Sequence, residues 1–352
     1  MQQRIDTILD VAEKQDASDV FLQEDEVPRL KVNEKISVLG EEPLSLADIT
    51  AFWQACGAST QGEGDMDRDA GFVSRTQTRY RVSLHRTMGR LGAVLRRIKT
   101  NVPSLKALGA PDWLLTRWGG REHGLILLTG PTGSGKSTTI ASLLQWINEN
   151  QVRHIVTIED PVEYQFTNSR SYFTQRQVGR DTRTFATGLR SALRQAPDVI
   201  FVGEIRDYET ALTALQASET GHLVVSTLHS ENVGDTMERY LNLFPTEDTK
   251  HGTNLLANQL SGVLCQKLVP SADGGLHLLV EHVENAGAMR DWIARRELSN
   301  IDQYIARGSD PAAVSFLQST LKALQAKVIT EATALASVSN ESELRRAMRG
   351  IG

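Results

Sequence analysis

Residues 130 to 138 read Gly-Pro-Thr-Gly-Ser-Gly-Lys-Ser-Thr, a complete phosphate loop of the pattern GxxxxGKS. Such a loop has meaning only between a buried strand and a helix, so it constrains the local fold as strongly as it constrains the ligand. The apolar run Gly124 to Thr129 predicts that strand, and Ile140, Leu143, Leu144 and Ile147 space one helix face between Thr138 and Asn148. Glycines at 130, 133 and 135 admit backbone conformations closed to residues with a Cβ, so that N–H groups and the helix N-terminus converge on phosphate. Gly130, Pro131, Thr132, Gly133, Ser134, Gly135, Lys136, Ser137 and Thr138 are therefore the candidate contacts to a nucleoside triphosphate. Lys136 is expected to reach the β and γ phosphates, and the Ser137 hydroxyl to bind Mg²⁺. A chance glycine-rich turn before a helix is the competing reading, and both flanks argue against it.

A chain of 352 residues exceeds one ordinary core, so two or three domains are expected. The formal net charge of -5 offers no global attraction to nucleic acid, and no nucleic-acid partner is expected. Cys56 and Cys265 are the only cysteines and form no CxxC, which speaks against structural zinc and fits a reducing compartment. The start Met1-Gln2-Gln3-Arg4-Ile5-Asp6 carries charge where a signal peptide needs apolar residues, and no run approaches the roughly 20 apolar residues of a membrane span. A cytoplasmic chain without membrane insertion is expected.

Residues 1–98 alternate short helical and strand patterns. Ile5, Ile8, Leu9 and Ala12 share a helix face; Val20 to Leu22 and Leu30 to Val32 read as strands; a helical stretch spans Leu46 to Cys56. A polar loop from Gly57 to Asp67 precedes three candidate strands ending near Ile98, which together make a small α/β domain. Residues 99–112, with Pro103, Gly109 and Pro111, read as a linker containing one helical turn near Leu105. Residues 113–245 alternate strand and helix with the short apolar runs of a parallel sheet covered on both faces. Residues 246–352 are expected to be mostly helical, with Leu276 to Val280 as an edge strand.

Three further runs end in polar groups: His154 to Asp160, Asp198 to Glu204, and Leu223 to His229. The carboxyl ends of an open parallel sheet share one edge, so Glu159, Asp160, Glu204 and His229 should gather beside the phosphate loop. Asp198 opens its run, and six residues at about 3.3 Å each place it roughly 20 Å from that edge. Glu204 is therefore the better Walker B acid, holding the Mg²⁺ water shell or polarising the attacking water. Capping the helix that starts near Tyr208 is its alternative role. Among Glu159, Asp160 and Glu163 around Pro161, one or two are expected to touch the ligand, with Glu163 the second candidate for general base. His229 is a candidate for sensing the γ phosphate or a subunit boundary. His222 is weighed for the same duty, although seven residues of extended chain put it at the opposite strand end.

Arg75, Arg79, Arg81, Arg86, Arg90, Arg96 and Arg97 crowd the last strands of the first domain, with no neutralising partner nearby in sequence. Solvated strand faces, a nucleic-acid track and guanidinium groups offered to a neighbour's nucleotide are the three open readings. Only Tyr80 is interleaved with them, which disfavours base stacking.

Taken together, these runs resemble the secretion and pilus ATPase superfamily, and most closely its type IV pilus retraction branch. The likeness covers nearly the whole chain from Ile5 to about Arg295. Ala17-Ser18-Asp19-Val20-Phe21 resembles the N-terminal signature of that family, and Gly130 to Thr138 is similar to its Walker A loop. Ile158-Glu159-Asp160-Pro161-Val162-Glu163-Tyr164 resembles its aspartate box, Gly203-Glu204-Ile205-Arg206-Asp207 its Walker B segment, and Thr220 to His229 its histidine box. Ala288-Met289-Arg290-Asp291-Trp292-Ile293-Ala294-Arg295 resembles the AIRNLIRE helix of retraction motors, with Met289, Asp291, Trp292, Ala294 and Arg295 departing from it.

The resemblance implies an α/β architecture: a PAS-like first domain and a RecA-like ATPase domain. It further implies a homohexamer that binds ATP between the two domains, with Mg²⁺, and works at the cytoplasmic face of the inner membrane on a pilus platform protein. Arg81 and Arg96 best match the arginines that complete the family's site. A type II or type IVB secretion ATPase, and a catalytically weak nucleotide-binding regulator, are the alternatives.

Overall fold

The computed structural model describes residues 2–32, 35–59, 67–98, 100–308 and 310–349. Most of the expected Gly57 to Asp67 loop lies outside the described residues, as do Lys99 of the expected linker and Ser309 of the expected tail. The chain forms two compact units, Met1–Thr100 and Asn101–Gly352.

The first unit starts with α1 (Gln2–Lys14), whose Ile5, Ile8, Leu9 and Ala12 are all buried, as the one-face spacing requires. There follow β1 (Asp19–Gln23), β2 (Arg29–Val32), β3 (Lys35–Val38), α2 (Leu46–Ala55), β4 (Asp67–Val73), β5 (Arg79–Thr87) and β6 (Arg90–Arg97). The strands pair antiparallel in the order β3-β2-β1-β6-β5-β4. Along β5, Tyr80, Val82 and Leu84 face the core while their neighbours face out, the period of a sheet covered on one side. Ser45 and Asp48 form a capping box that fixes the start of α2. This places Trp53 in the core with its Nε1–H donating to the Gly92 carbonyl at 3.2 Å. All four residues of β3 are exposed, so it carries no apolar alternation by which to predict it.

The second unit opens with a 3-10 turn at Lys106–Leu108 and continues with α3 (Asp112–Gly119), β7 (Gly124–Thr129), α4 (Lys136–Asn150), β8 (His154–Glu159), β9 (Tyr172–Gln177), α5 (Phe185–Ala192) and β10 (Val199–Val202). Next come α6 (Tyr208–Glu219), β11 (Leu223–Leu228), α7 (Val233–Leu241), α8 (Thr249–Gln259), β12 (Leu260–Pro270) and β13 (Leu276–Glu284). The last elements are α9 (Ala288–Ala294), α10 (Leu298–Arg307), β14 (Ala313–Val314), α11 (Phe316–Gln325), α12 (Glu331–Ser337) and α13 (Glu341–Met348). Its eight strands run β14-β13-β12-β7-β11-β10-β8-β9, parallel from β12 to β9 and antiparallel at β13 and β14. Helices cover both faces, and successive strand residues feed opposite cores. Leu125 and Leu127 enter one cluster, Ile126 and Leu128 the other.

Residues 246–352 carry three strands where one was expected, set among the helices α8 to α13. α8 passes into β12 without a loop, and β12 is buried on both faces between β7 and β13, so it shows no alternation. β13 is not an edge strand, since the two-residue β14 lies outside it. β9 is the real edge at the far side, and its polar Gln175-Arg176-Gln177 hides it from an apolar search. No helix among the described residues is long and apolar enough to cross a membrane.

Candidate functional site

The phosphate loop leaves β7 and enters α4 at Lys136. Gly130 has φ +139°, and a Cβ there would lie 2.3 Å from the Gln266 carbonyl oxygen, so only glycine fits between the loop and β12. Lys136 folds back across the loop, its Nζ donating to the carbonyls of Gly130 at 2.7 Å and Pro131 at 2.9 Å. Burial lowers the affinity of this ammonium for its proton, while the charges of Glu204 and Glu163 act in the other direction. Both carboxylates therefore lie near enough for their charge to act on the loop lysine, although 68 and 27 residues separate them from it in sequence. Thr138 Oγ1 lies 3.1 Å from the hydroxyl of the buried Tyr164.

Glu204 follows β10 by two residues and is buried. Its carboxylate meets Arg206 and, at 3.3 Å, His229 Nε2 from the end of β11. The adjoining backbone is held by neighbouring strands. Gly203 N–H donates to Ile158 O at 2.7 Å, Ile205 N–H to Thr227 O at 3.0 Å, and Thr227 Oγ1 to Gly203 O at 2.6 Å. Asp207, not Glu204, caps α6, accepting from Thr210 N–H at 2.8 Å. The capping alternative for Glu204 is thereby removed.

Glu159 closes β8 as a buried carboxyl, 7% exposed. Burial pushes its pKa up to about 7 against hydrogen bonds from Thr157 Oγ1 at 2.6 Å and Gln175 Nε2 at 3.4 Å. The same Gln175 donates to Tyr164 O at 2.8 Å and accepts from Phe166 N–H at 3.0 Å, which fastens the acidic turn to β9. Asp160 and Glu163 are exposed on that turn.

Sequence reasoning missed Gln175, Tyr164 and Gln266, whose Nε2 donates to Thr139 Oγ1 at 2.8 Å inside the loop helix. Tyr164 lay within the aspartate-box motif and could have been found there. Gln175 and Gln266 sit on strands the sequence did not reveal.

Not every candidate joins this edge. His222 precedes β11, with Nδ1 2.9 Å from Ala217 O and its carbonyl accepting from Gly124 N–H, which places it at the amino edge of the sheet. As a group acting on the same chain's phosphates it is corrected to a structural histidine of the α6–β11 turn. Asp198 lies at that edge too, accepting from His154 N–H at 2.7 Å.

Arg81 and Arg96 are cross-strand neighbours in the first unit. Arg81 pairs with Asp69 at 3.4 Å and Arg96 Nε with the buried Asp19 at 2.8 Å. Arg75 with Asp10, Arg97 with Asp16 and Arg90 with Asp25 add three more pairs. The cluster thus finds most of its partners far back in the chain, in Asp10 of α1, Asp19 of β1, and Asp16 and Asp25 in the turns that follow those two elements.

The profile of the type II/IV secretion system protein family matches residues 1–342. The type IV pilus retraction ATPase PilT of Pseudomonas aeruginosa is 35% identical over 326 residues, covering 92% of this chain and 94% of that protein. The type IV pilus ATPase PilU of the same organism is 34% identical, covering 93% and 87%. Among solved structures, the pilus retraction motor PilT with bound ADP superposes with a TM-score of 0.88 at 35% identity, over 97% of this chain and 99% of that one.

Proposed function

We propose, since this chain belongs to the type II/IV secretion system protein family, that its ATP hydrolysis powers retraction of a type IV pilus. The observation that supports the reading is the meeting of Glu204 and His229 at the ends of β10 and β11, on the sheet edge that bears the phosphate loop. Hydrolysis of ATP needs a cradle for the phosphates, a positive group near the transferred phosphoryl, and a carboxylate to orient water. The glycine loop, Lys136 and Glu204 supply these three.

The loop backbone and the α4 N-terminus bind the β and γ phosphates, and Lys136 turns from the Gly130 and Pro131 carbonyls toward them. Glu204, oriented by His229 and Arg206, draws the proton side of the attacking water, with Glu163 as the second carboxylate on the same lysine. Ser137 and Glu204 are the residues that would hold Mg²⁺, whose charge offsets that developing on the phosphoryl oxygens. Oxygen donors at a helix start beside a buried carboxylate suit that hard ion. Arg81 and Arg96 are proposed to complete a neighbouring subunit's site in a homohexamer, which requires them to exchange Asp69 and Asp19 for phosphate. Residues 99–112 are proposed as the hinge, and the inner-membrane pilus platform as the partner on which force is exerted.

Two measurements test this. Purified protein should release phosphate from ATP with Mg²⁺, Lys136→Ala should abolish release, and Glu204→Gln should lower it by about 10²–10⁴. Cells lacking the protein should carry excess surface pili and fail to twitch; too few pili would instead assign it to extension or assembly.

A further inference from the structure

His229 lies one residue beyond the last rung of β11, where Leu228 is in register with Thr129 of β7, so the strand ladder ends before it. After it come the turn Ser230-Glu231-Asn232 and then α7, which is a fixed post. Glu281 of β13 accepts from Val233 N–H at 2.8 Å, and the fully buried Tyr240 donates its hydroxyl to Ala211 O at 2.9 Å. One hydroxyl fastens the turn to that post. Thr236, fully buried near the start of α7, donates from Oγ1 to Asn232 O at 2.7 Å, which spends its only hydrogen, so Ser230 Oγ, 2.7 Å away, must donate to it. The same oxygen lies 3.2 Å from Thr129 Oγ1, which donates to Cys265 Sγ at 2.9 Å.

We propose that Thr236 is a positioning residue for ATP hydrolysis: by holding Ser230 against α7 and beside Thr129, it sets where the preceding His229 stands between the phosphate loop and Glu204. The inference rests on the reading of the chain as an ATPase in which His229 orients Glu204, and it adds the group that orients His229. Thr129 immediately precedes Gly130 of the loop, and Ser230 immediately follows His229. Thr236 is therefore one side-chain contact from each half of the site. Its full burial keeps it from the substrate, so it acts through His229 and not on the phosphates.

A valine at 236 would fill the same space, so packing alone does not call for a hydroxyl here. A buried polar group weakens a core unless its hydrogen bonds are made, and this one makes them to the turn that carries His229. Removing it strands little. Ser230 is half-buried and can turn its hydroxyl to water, while Thr129 keeps Cys265. The loss falls instead on the direction of the turn, and a displacement of about 1 Å near a reacting group is enough to cost a large factor in rate.

With the full chain and Mg²⁺, Thr236→Val should lower kcat for ATP hydrolysis by about tenfold while calorimetry finds ADP binding within about twofold of the unmodified protein. Thr236→Ser, which keeps the hydroxyl, should restore most of the rate. In a His229→Ala background Thr236→Val should change kcat by less than about twofold, because the residue it acts through is gone. Ser230→Ala, which cuts the same link from the half-buried side, should repeat both results and decides the matter if Thr236→Val does not fold. An undiminished rate in these variants, or an equal loss with and without His229, would overturn the proposal and leave the ATPase reading intact. Failure of the unmodified protein to hydrolyse ATP would overturn both.

Discussion

His229 Nε2 lies 3.3 Å from Glu204 Oε2, tying the end of β11 to the end of β10 on the edge that carries the phosphate loop. The role proposed for the histidine is to fix the direction in which the buried carboxylate points. His229→Ala should therefore lower turnover by about tenfold to a hundredfold, the scale seen when an orienting partner is lost. Glu204→Gln should cost about 10²–10⁴ in turnover. Single-turnover phosphate release beside ADP binding separates the two effects, since binding should survive in both variants.

Glu159 predicts a pH dependence of stability. Its folded pKa, about 7, lies above the ordinary 4.5, so the folded state holds the proton more tightly than the unfolded state. Its contribution is fully favourable below pH 4.5 and is lost as pH rises to about 7, a change on the order of 3 kcal/mol. Glu159→Gln should remove that change. Urea denaturation of the nucleotide-free protein at pH 5 and pH 8 should show the variant gaining on the parent at the higher pH.

Gly130→Ala should strain the loop, because φ is +139° and the new methyl would meet the Gln266 carbonyl at 2.3 Å and Ser134 Oγ at 2.7 Å. A loss of about 1–3 kcal/mol in stability is expected, together with loss of ADP binding. Thermal denaturation and calorimetry read the two separately.

Glu284, at the end of β13, is buried and gripped by Arg117 at 2.8 Å and Arg121 at 2.7 Å. Removing either arginine leaves the other to neutralise the carboxylate. Removing both strands a buried charge, and Arg117→Ala with Arg121→Ala should cost about 3 kcal/mol or more, exceeding the sum of the single losses. Equilibrium denaturation of the three variants tests this coupling.

The phosphate loop, its flanking strand and helix, and the acids and His229 at strand ends were all legible in the chain. Each is local: a motif of nine residues, or a run of apolar residues ending in a polar one. From such runs alone the parallel-sheet rule places Lys136, Glu204 and His229 on one edge, and it places His222 and Asp198 on the other.

Tertiary structure decided what depends on residues far apart. β12 falls in a stretch expected to be mostly helical because burial on both faces erases its period, and its place between β7 and β13 is set only once the sheet has formed. Arg96 looked unpaired because its partner Asp19 lies 77 residues earlier. Gln175 was invisible as the fastener of the acidic turn because an edge strand of polar residues carries no hydrophobic signal. Periodicity records only which side of an element is buried, whereas a hydrogen bond or an ion pair records which element lies opposite, and that is settled when the chain packs.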